Sequence, residues 1–156
     1  MHKAIRVECY QQMPNYRKPA SFLIKESYPL PPYSSVIGMV HMACNFKEYH
    51  AMKVSVQGFY FSSTSDTCTM YNFGIKYDPT RHQAFVLDAK GDKYGINRGI
   101  KSAELLTDVE LVLHIQPLNL IDFEAVLNGL RSPSNYPSLG RHEDLLRIDS
   151  LKNNTA

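Results

Sequence analysis

Two segments, far apart in the chain, carry residue types that hold phosphate. Pro31-Pro32-Tyr33-Ser34-Ser35-Val36-Ile37-Gly38-Met39 reads as the opening of a helix. There Tyr33, Ser34 and Ser35 offer free backbone N–H groups and hydroxyls to an anion. Ser138-Leu139-Gly140-Arg141-His142-Glu143-Asp144 reads as a glycine–arginine loop that follows a second helix. Gly140 frees the backbone, Arg141 can grip a phosphate through two parallel N–H bonds, and His142 adds a donor. Glu143 and Asp144 limit that field, and either can pair with Arg141. Neither segment holds a nucleophile–base pair or a metal-ligand cluster. The chemistry they suit is holding an anionic polymer.

Other cations support the same chemistry. Arg17, Lys18 and Lys25 precede Glu26 with no acid among them, and Tyr16 stands beside them as a ring on which a base can stack. Lys93, Arg98 and Lys101 lie in Gly91-Asp92-Lys93-Tyr94-Gly95-Ile96-Asn97-Arg98-Gly99-Ile100-Lys101, where glycines let a ligand approach the backbone. Gly38 inside a helix costs up to about 1 kcal/mol against alanine, which close approach of another chain or of RNA would explain, and tight packing of that helix on a sheet explains better. His41 and Cys44, three apart on the same helix, lack the further ligands a metal needs. No cofactor is expected.

Bulk composition permits this reading without announcing it. The chain has 156 residues, 44% hydrophobic and 21% charged, enough for one globular domain with a core. A formal net charge of +2 means that any basic surface must come from local clustering. Cys9, Cys44 and Cys68 are odd in number and show no CxxC spacing, which suits a reducing cytoplasm better than a disulfide framework or a zinc knuckle. No signal-peptide pattern opens the sequence, and no apolar run approaches the ~18 residues of a membrane span.

The elements that must position these groups follow from periodicity. Residues 3–11 alternate, with Ile5, Val7 and Cys9 against Arg6, Glu8 and Tyr10. Residues 12–33 carry five prolines and predict a partly ordered connection, with a short strand at Phe22-Leu23-Ile24. A helix capped by Ser34 or Ser35 should follow, with Val36, Met39, Val40, Ala43 and Cys44 as its apolar stripe. Residues 53–61 and 108–116 alternate as strands. Asn119 and Asp122 suggest a capping box for a second helix with the stripe Leu120, Phe123, Val126, Leu127 and Leu130, ended by Gly129 and Pro133. Leu145-Leu146-Arg147-Ile148 predicts a short last strand. The order is β-α-β-β-α-β, an α+β fold of ferredoxin-like (RRM-like) type with two helices on one face of an antiparallel sheet. The open face of such a sheet often binds RNA. Between the second and third core strands, residues 62–106 exceed any simple turn. Their strand-like pieces, residues 69–73 and 84–87, predict a protruding hairpin. The chain is thus expected to be a single RNA-binding domain over residues 1–156, with a hairpin inserted at about 62–106.

Several blocks resemble CRISPR-associated protein family 5, of the RAMP superfamily, and most nearly its type I-B branch. Tyr28-Pro29-Leu30-Pro31-Pro32-Tyr33-Ser34-Ser35-Val36-Ile37-Gly38-Met39, with Ala43-Cys44, is similar to the family's first-helix signature. Gln57-Gly58, Thr69-Met70-Tyr71 and Leu139-Gly140-Arg141-His142-Glu143-Asp144-Leu145 are similar to later blocks, in family order. The resemblance implies a non-catalytic subunit of the Cascade surveillance complex that holds the 5′ handle of the CRISPR RNA. It implies a β-hairpin thumb at 62–106 packed on the backbone subunit, a glycine-rich loop at Gly140-Arg141, and contacts to the large subunit and indirectly to target DNA. Relatives usually continue into a smaller β-rich part, whereas this chain stops at Leu151-Lys152-Asn153-Asn154-Thr155-Ala156, as a minimal or truncated variant would.

Two other functions compete. One branch of the family cleaves the CRISPR precursor without metal, using a tyrosine and a Lys-His pair. This sequence has no Lys-His pair, and Arg81-His82 and Arg141-His142 are its nearest substitutes. Arginine stays charged and is a poor proton donor. The other alternative is an RRM-like RNA-binding module unrelated to CRISPR.

Overall fold

The computed structural model describes residues 3–22 and 24–155. Its elements are β1 (Lys3–Gln11), β2 (Ile24–Lys25), α1 (Tyr33–Ala43), β3 (Met52–Lys76), β4 (Ala84–Leu87), β5 (Lys93–Pro117), α2 (Ile121–Arg131) and β6 (Arg147–Thr155). The fold is α+β, mostly sheet with two helices. β1 lies between β5 and β6, antiparallel to both, and β3 pairs antiparallel with the other side of β5.

Alternation sorts the sheet into two faces. Ile5, Val7 and Cys9 of β1 meet Ile115, Leu113 and Leu111 of β5 in register, and all six are buried. Val36, Met39, Val40 and Ala43 of α1 and Phe123, Val126 and Leu130 of α2 close over that face in one core. The helices meet at Gly129, where an added Cβ would lie 2.5 Å from the Cys44 sulfur and 3.0 Å from its Cα. Gly129 therefore sits inside α2 as a contact point and does not end it.

Other local expectations also change. α1 begins at Tyr33, with Pro32 at the capping position and no side-chain cap, so Ser34 and Ser35 lie in the first turn. Proline's fixed φ suits a helix start without a hydroxyl. The Asn119 side chain accepts from Ile121 N–H at 3.1 Å, but the Asp122 carboxylate turns to His50 Nδ1, 3.0 Å away, so the reciprocal box does not form. Leu120 lies before the helix, 73% exposed, and leaves the stripe to the residues after it. The last strand starts at Arg147. Leu146 instead plugs the core, and Leu145 bridges back to Ser138. In the 12–33 connection, Ile24 and Lys25 pair in parallel with Ser102 and Ala103; Leu23 of the expected strand lies outside the described residues. No helix among the described residues is long and apolar enough to cross a membrane.

Candidate nucleic-acid interface

β3 and β5 are each 25 residues long, whereas β1 flanks β5 only over Val109–Ile115. Beyond that stretch the two strands continue as an antiparallel ribbon, paired from Ser62↔Thr107 out to Lys76↔Tyr94, with β2 beside β5 at Ser102 and Ala103. At about 3.3 Å per residue the fifteen residues from 62 to 76 reach roughly 50 Å from the sheet. Of the two expected strand pieces, 84–87 is the separate strand β4, whereas 69–73 belongs to β3, which with β5 runs out from the core sheet. The tip is thickened by β4, which pairs with β5 at Lys93–Ile96. The His82 ring fills the space that a side chain on Gly95 would occupy. Its Nδ1 accepts from Asp78 N–H at 2.9 Å.

Most of the ribbon is exposed on both faces, and much of it is apolar or aromatic. Tyr71 stands opposite Arg98 and Thr69 opposite Ile100, and Tyr71 stacks with Phe73 at 6.2 Å between ring centroids. Ile100 is 79% and Phe73 61% exposed. Thr69, Tyr71, Gln83, Arg98 and Ile100 line a groove of about 510 Å³. Exposed rings beside an arginine suit single-stranded nucleic acid, because every base offers a face to stack. Apolar surface of this kind also marks a site that another molecule covers.

Where the ribbon leaves the sheet, Asn15 ties three segments together. Its side-chain amide donates to the carbonyls of Lys25 at 2.9 Å and Glu104 at 2.6 Å, and its backbone N–H donates to the Asp144 carboxylate at 3.0 Å. Glu104 in turn accepts from Ser27 N–H at 2.9 Å. Asp144 has a side chain only 2% exposed and also takes Arg141 N–H at 2.8 Å and the Arg141 guanidinium at 2.6 Å. Gly140 has φ 108°, and an added Cβ would lie 2.8 Å from the Asn15 carbonyl. Glycine is required there on both counts. Gln11 anchors the loop from β1, donating to the carbonyls of Leu139 and Asp144.

The expected site residues divide accordingly. Arg17 is exposed beside its bridge partner Ser27, and Lys18 pairs with Glu26 at 3.0 Å, which holds its ammonium charged to higher pH. Tyr16 corrects the stacking expectation: it is 1% exposed, its hydroxyl donates to Gln11 at 2.7 Å, and burial pushes its phenol up. Tyr33 and Ser34 are exposed at the start of α1, with Ser35 half-buried. Gly38 faces open space rather than the sheet, with nothing within 4 Å of an added Cβ. Lys93 lies at the tip, 4.6 Å from the Phe85 ring centre, Arg98 is exposed on the aromatic face, and Lys101 is half-buried opposite Cys68. Gly140 and Arg141 belong to the Asn15 junction. The Arg141 guanidinium is engaged by Asp144 and by Glu143 at 3.2 Å, which keeps it charged and leaves it serving the loop. His142 is 98% exposed and pairs with Glu143. Junction and ribbon stem are thus brought together, whereas among the described residues no hydrogen bond or ion pair joins Tyr33–Ser35 to either. Sequence reasoning missed Asn15 as the hub and Tyr71 and Phe73 as the exposed rings. The repeated aromatic spacing at 71 and 73 was the available signal for the latter. No cluster of metal-ligating side chains exists among the described residues.

The class this fold defines is a mixed α+β domain, which here carries a long protruding ribbon, and solved structures are similar to it in fold. A chain of a structure described as a CRISPR RNA-guided surveillance complex superposes with a TM-score of 0.63 at 18% identity, over 91% of this chain and 59% of that one. A second, described as the crystal structure of a Cas protein, gives 0.52 at 15% identity, over 91% of this chain and 58% of that one. This chain therefore spans less than two thirds of either neighbour. No protein-family model and no curated protein matches the sequence.

Proposed function

We propose that the chain is a non-catalytic subunit of a type I CRISPR Cascade surveillance complex, of CRISPR-associated family 5 and its type I-B-like branch. In this reading it is a cytoplasmic protein with a ferredoxin-like core, which the strand order β6-β1-β5-β3 supports. It binds the 5′ handle of the CRISPR RNA and caps the backbone filament, supporting antiviral DNA interference. The ribbon is the thumb, shared between the RNA and the backbone subunit. The loop at Gly140 is the glycine-rich loop, and it shapes the surface at the ribbon's root.

The observation that carries this reading is the ribbon: an exposed, aromatic and cationic projection on a fold found in a CRISPR RNA-guided surveillance complex. A self-contained domain gains nothing from displaying Tyr71, Phe73 and Ile100 to water. The non-catalytic role is supported by the lack of a Lys-His pair in the sequence. Of its two nearest substitutes, the His82 ring is packed on Gly95 and takes the Asp78 N–H.

The test replaces residues 74–92 with a short Gly-Ser link. The core cluster contains no residue of that stretch, so the variant should fold and melt cooperatively. It should fail to enter the complex when co-expressed with the partner subunits, or should enter with a mis-set RNA 5′ end. Normal assembly with a normal 5′ end would refute the thumb assignment.

A further inference from the structure

The sheet face turned away from the helices carries rings and carboxylates in a repeating order. In register across the strands stand Phe59 of β3, Glu110 of β5, Tyr10 of β1 and Arg147 of β6. Directly opposite residues on one face lie within reach of each other. Phe61, next along β3 on the same face, is 81% exposed. A groove of about 330 Å³ opens over this row, floored by Val112 and walled by Phe59, Tyr10, Glu110, Arg147 and Asp149.

One half of the row already holds a cation. The Arg147 guanidinium lies 4.7 Å from the Tyr10 ring centre and donates to the Asp149 carboxylate at 2.6 Å. That is a ring and an acid gripping one arginine. The other half repeats the pairing with Phe59 and Glu110, and no ion pair engages Glu110 among the described residues. Charge chooses the class of occupant. At the row and the pairs beside it, Glu8, Asp108, Glu110 and Asp149 stand against Arg147, and the cations Arg6 and Lys152 face each other one pair further along. Arg6 is paired to Glu8, Arg147 to Asp149, and Tyr10 donates to Asp108 at 2.5 Å. A phosphate chain would be repelled here, and a basic side chain would be held.

We propose that this open sheet face docks a basic protein segment, one arginine of which lies between Phe59 and Tyr10 and pairs with Glu110. The inference stands on the face itself and does not depend on the CRISPR reading.

The test is amide chemical-shift mapping of the full chain with the peptide acetyl-Gly-Arg-Gly-Arg-Gly-amide. Its citrulline counterpart serves as a neutral control and oligouridylate as the nucleic-acid probe. The arginine peptide should move the amides of Tyr10, Phe59 and Glu110 in a saturable way, and the citrulline peptide should not. Glu110→Gln and Phe59→Ala should each weaken binding about tenfold, the loss expected for a charge-assisted pair or a cation–π contact. Both positions are exposed, so the rest of the spectrum should be unchanged. No shifts, equal shifts with citrulline, unchanged binding in Glu110→Gln, or stronger shifts of the same amides with oligouridylate would each overturn the proposal.

Discussion

Asp144→Ala should strike the structure harder than any other single change at the ribbon's root. The carboxylate is buried and accepts from Asn15 N–H at 3.0 Å, Arg141 N–H at 2.8 Å and the Arg141 guanidinium at 2.6 Å. Alanine leaves the buried Asn15 N–H without an acceptor, at about 1–3 kcal/mol, and removes a charge-assisted bond worth about 1.5–3 kcal/mol. The sum is roughly 2.5–6 kcal/mol, a large share of the ~5–15 kcal/mol that holds a domain together. At about 2–4 °C per kcal/mol for a chain of this size, the melting temperature should fall by roughly 5–24 °C. Arg141→Ala should cost less, about 1.5–3 kcal/mol, because the carboxylate keeps its two backbone donors. Urea unfolding of both variants gives the comparison, with an unchanged slope as the sign that only stability moved. A loss below about 1 kcal/mol in Asp144→Ala, or a larger loss in Arg141→Ala, would refute the junction's energetic role.

Two further outcomes follow from the packing. Gly38→Ala should stabilise the isolated protein by about 0.5–1 kcal/mol, since the position is helical and open; Gly129→Ala should instead destabilise it by about 1–3 kcal/mol by pressing on Cys44, and thermal melts of the two should move in opposite directions. Burial pushes the Cys9 thiol up to about 12, so it should stay unlabelled by iodoacetamide at pH 8 in the native protein. Its contribution to stability is complete below the ordinary thiol value of 9.0 and is lost as pH climbs towards 12, which an alkaline series of denaturation midpoints checks.

The parts of the fold that were legible in the sequence are those set by local periodicity. The alternation at Ile5, Val7 and Cys9 and at Val109 to Ile115 marks strands because one face is buried and the other is not. The stripes of α1 and α2 were legible for the same reason, apart from Leu120, where helical spacing continues one residue beyond the helix. The ribbon was only half visible. Ser62-Ser63-Thr64-Ser65-Asp66-Thr67 shows no alternation because water reaches both faces, so its strand character comes from the partner strand alone. The junction was invisible. Asn15 and Asp144 are 129 residues apart, and nothing in either neighbourhood announces the other. Tyr16 looked like a stacking ring because its partner Gln11 lies across a proline-containing bend. Arg141 was read for its charge, and the folded chain spends that charge on Asp144.

The central claim is that this chain holds guide RNA through its ribbon. The most direct measurement is sequencing of the RNA that co-purifies with the tagged protein when it is expressed with partner subunits and a CRISPR array. The result is compared between the parent and the double variant Tyr71→Ala, Arg98→Ala. The parent should enrich RNA with one repeat-derived 5′ end, and the variant should lose that RNA or blur its end while remaining folded. RNA of arbitrary sequence in the parent, or an unaltered 5′ end in the variant, would contradict the account.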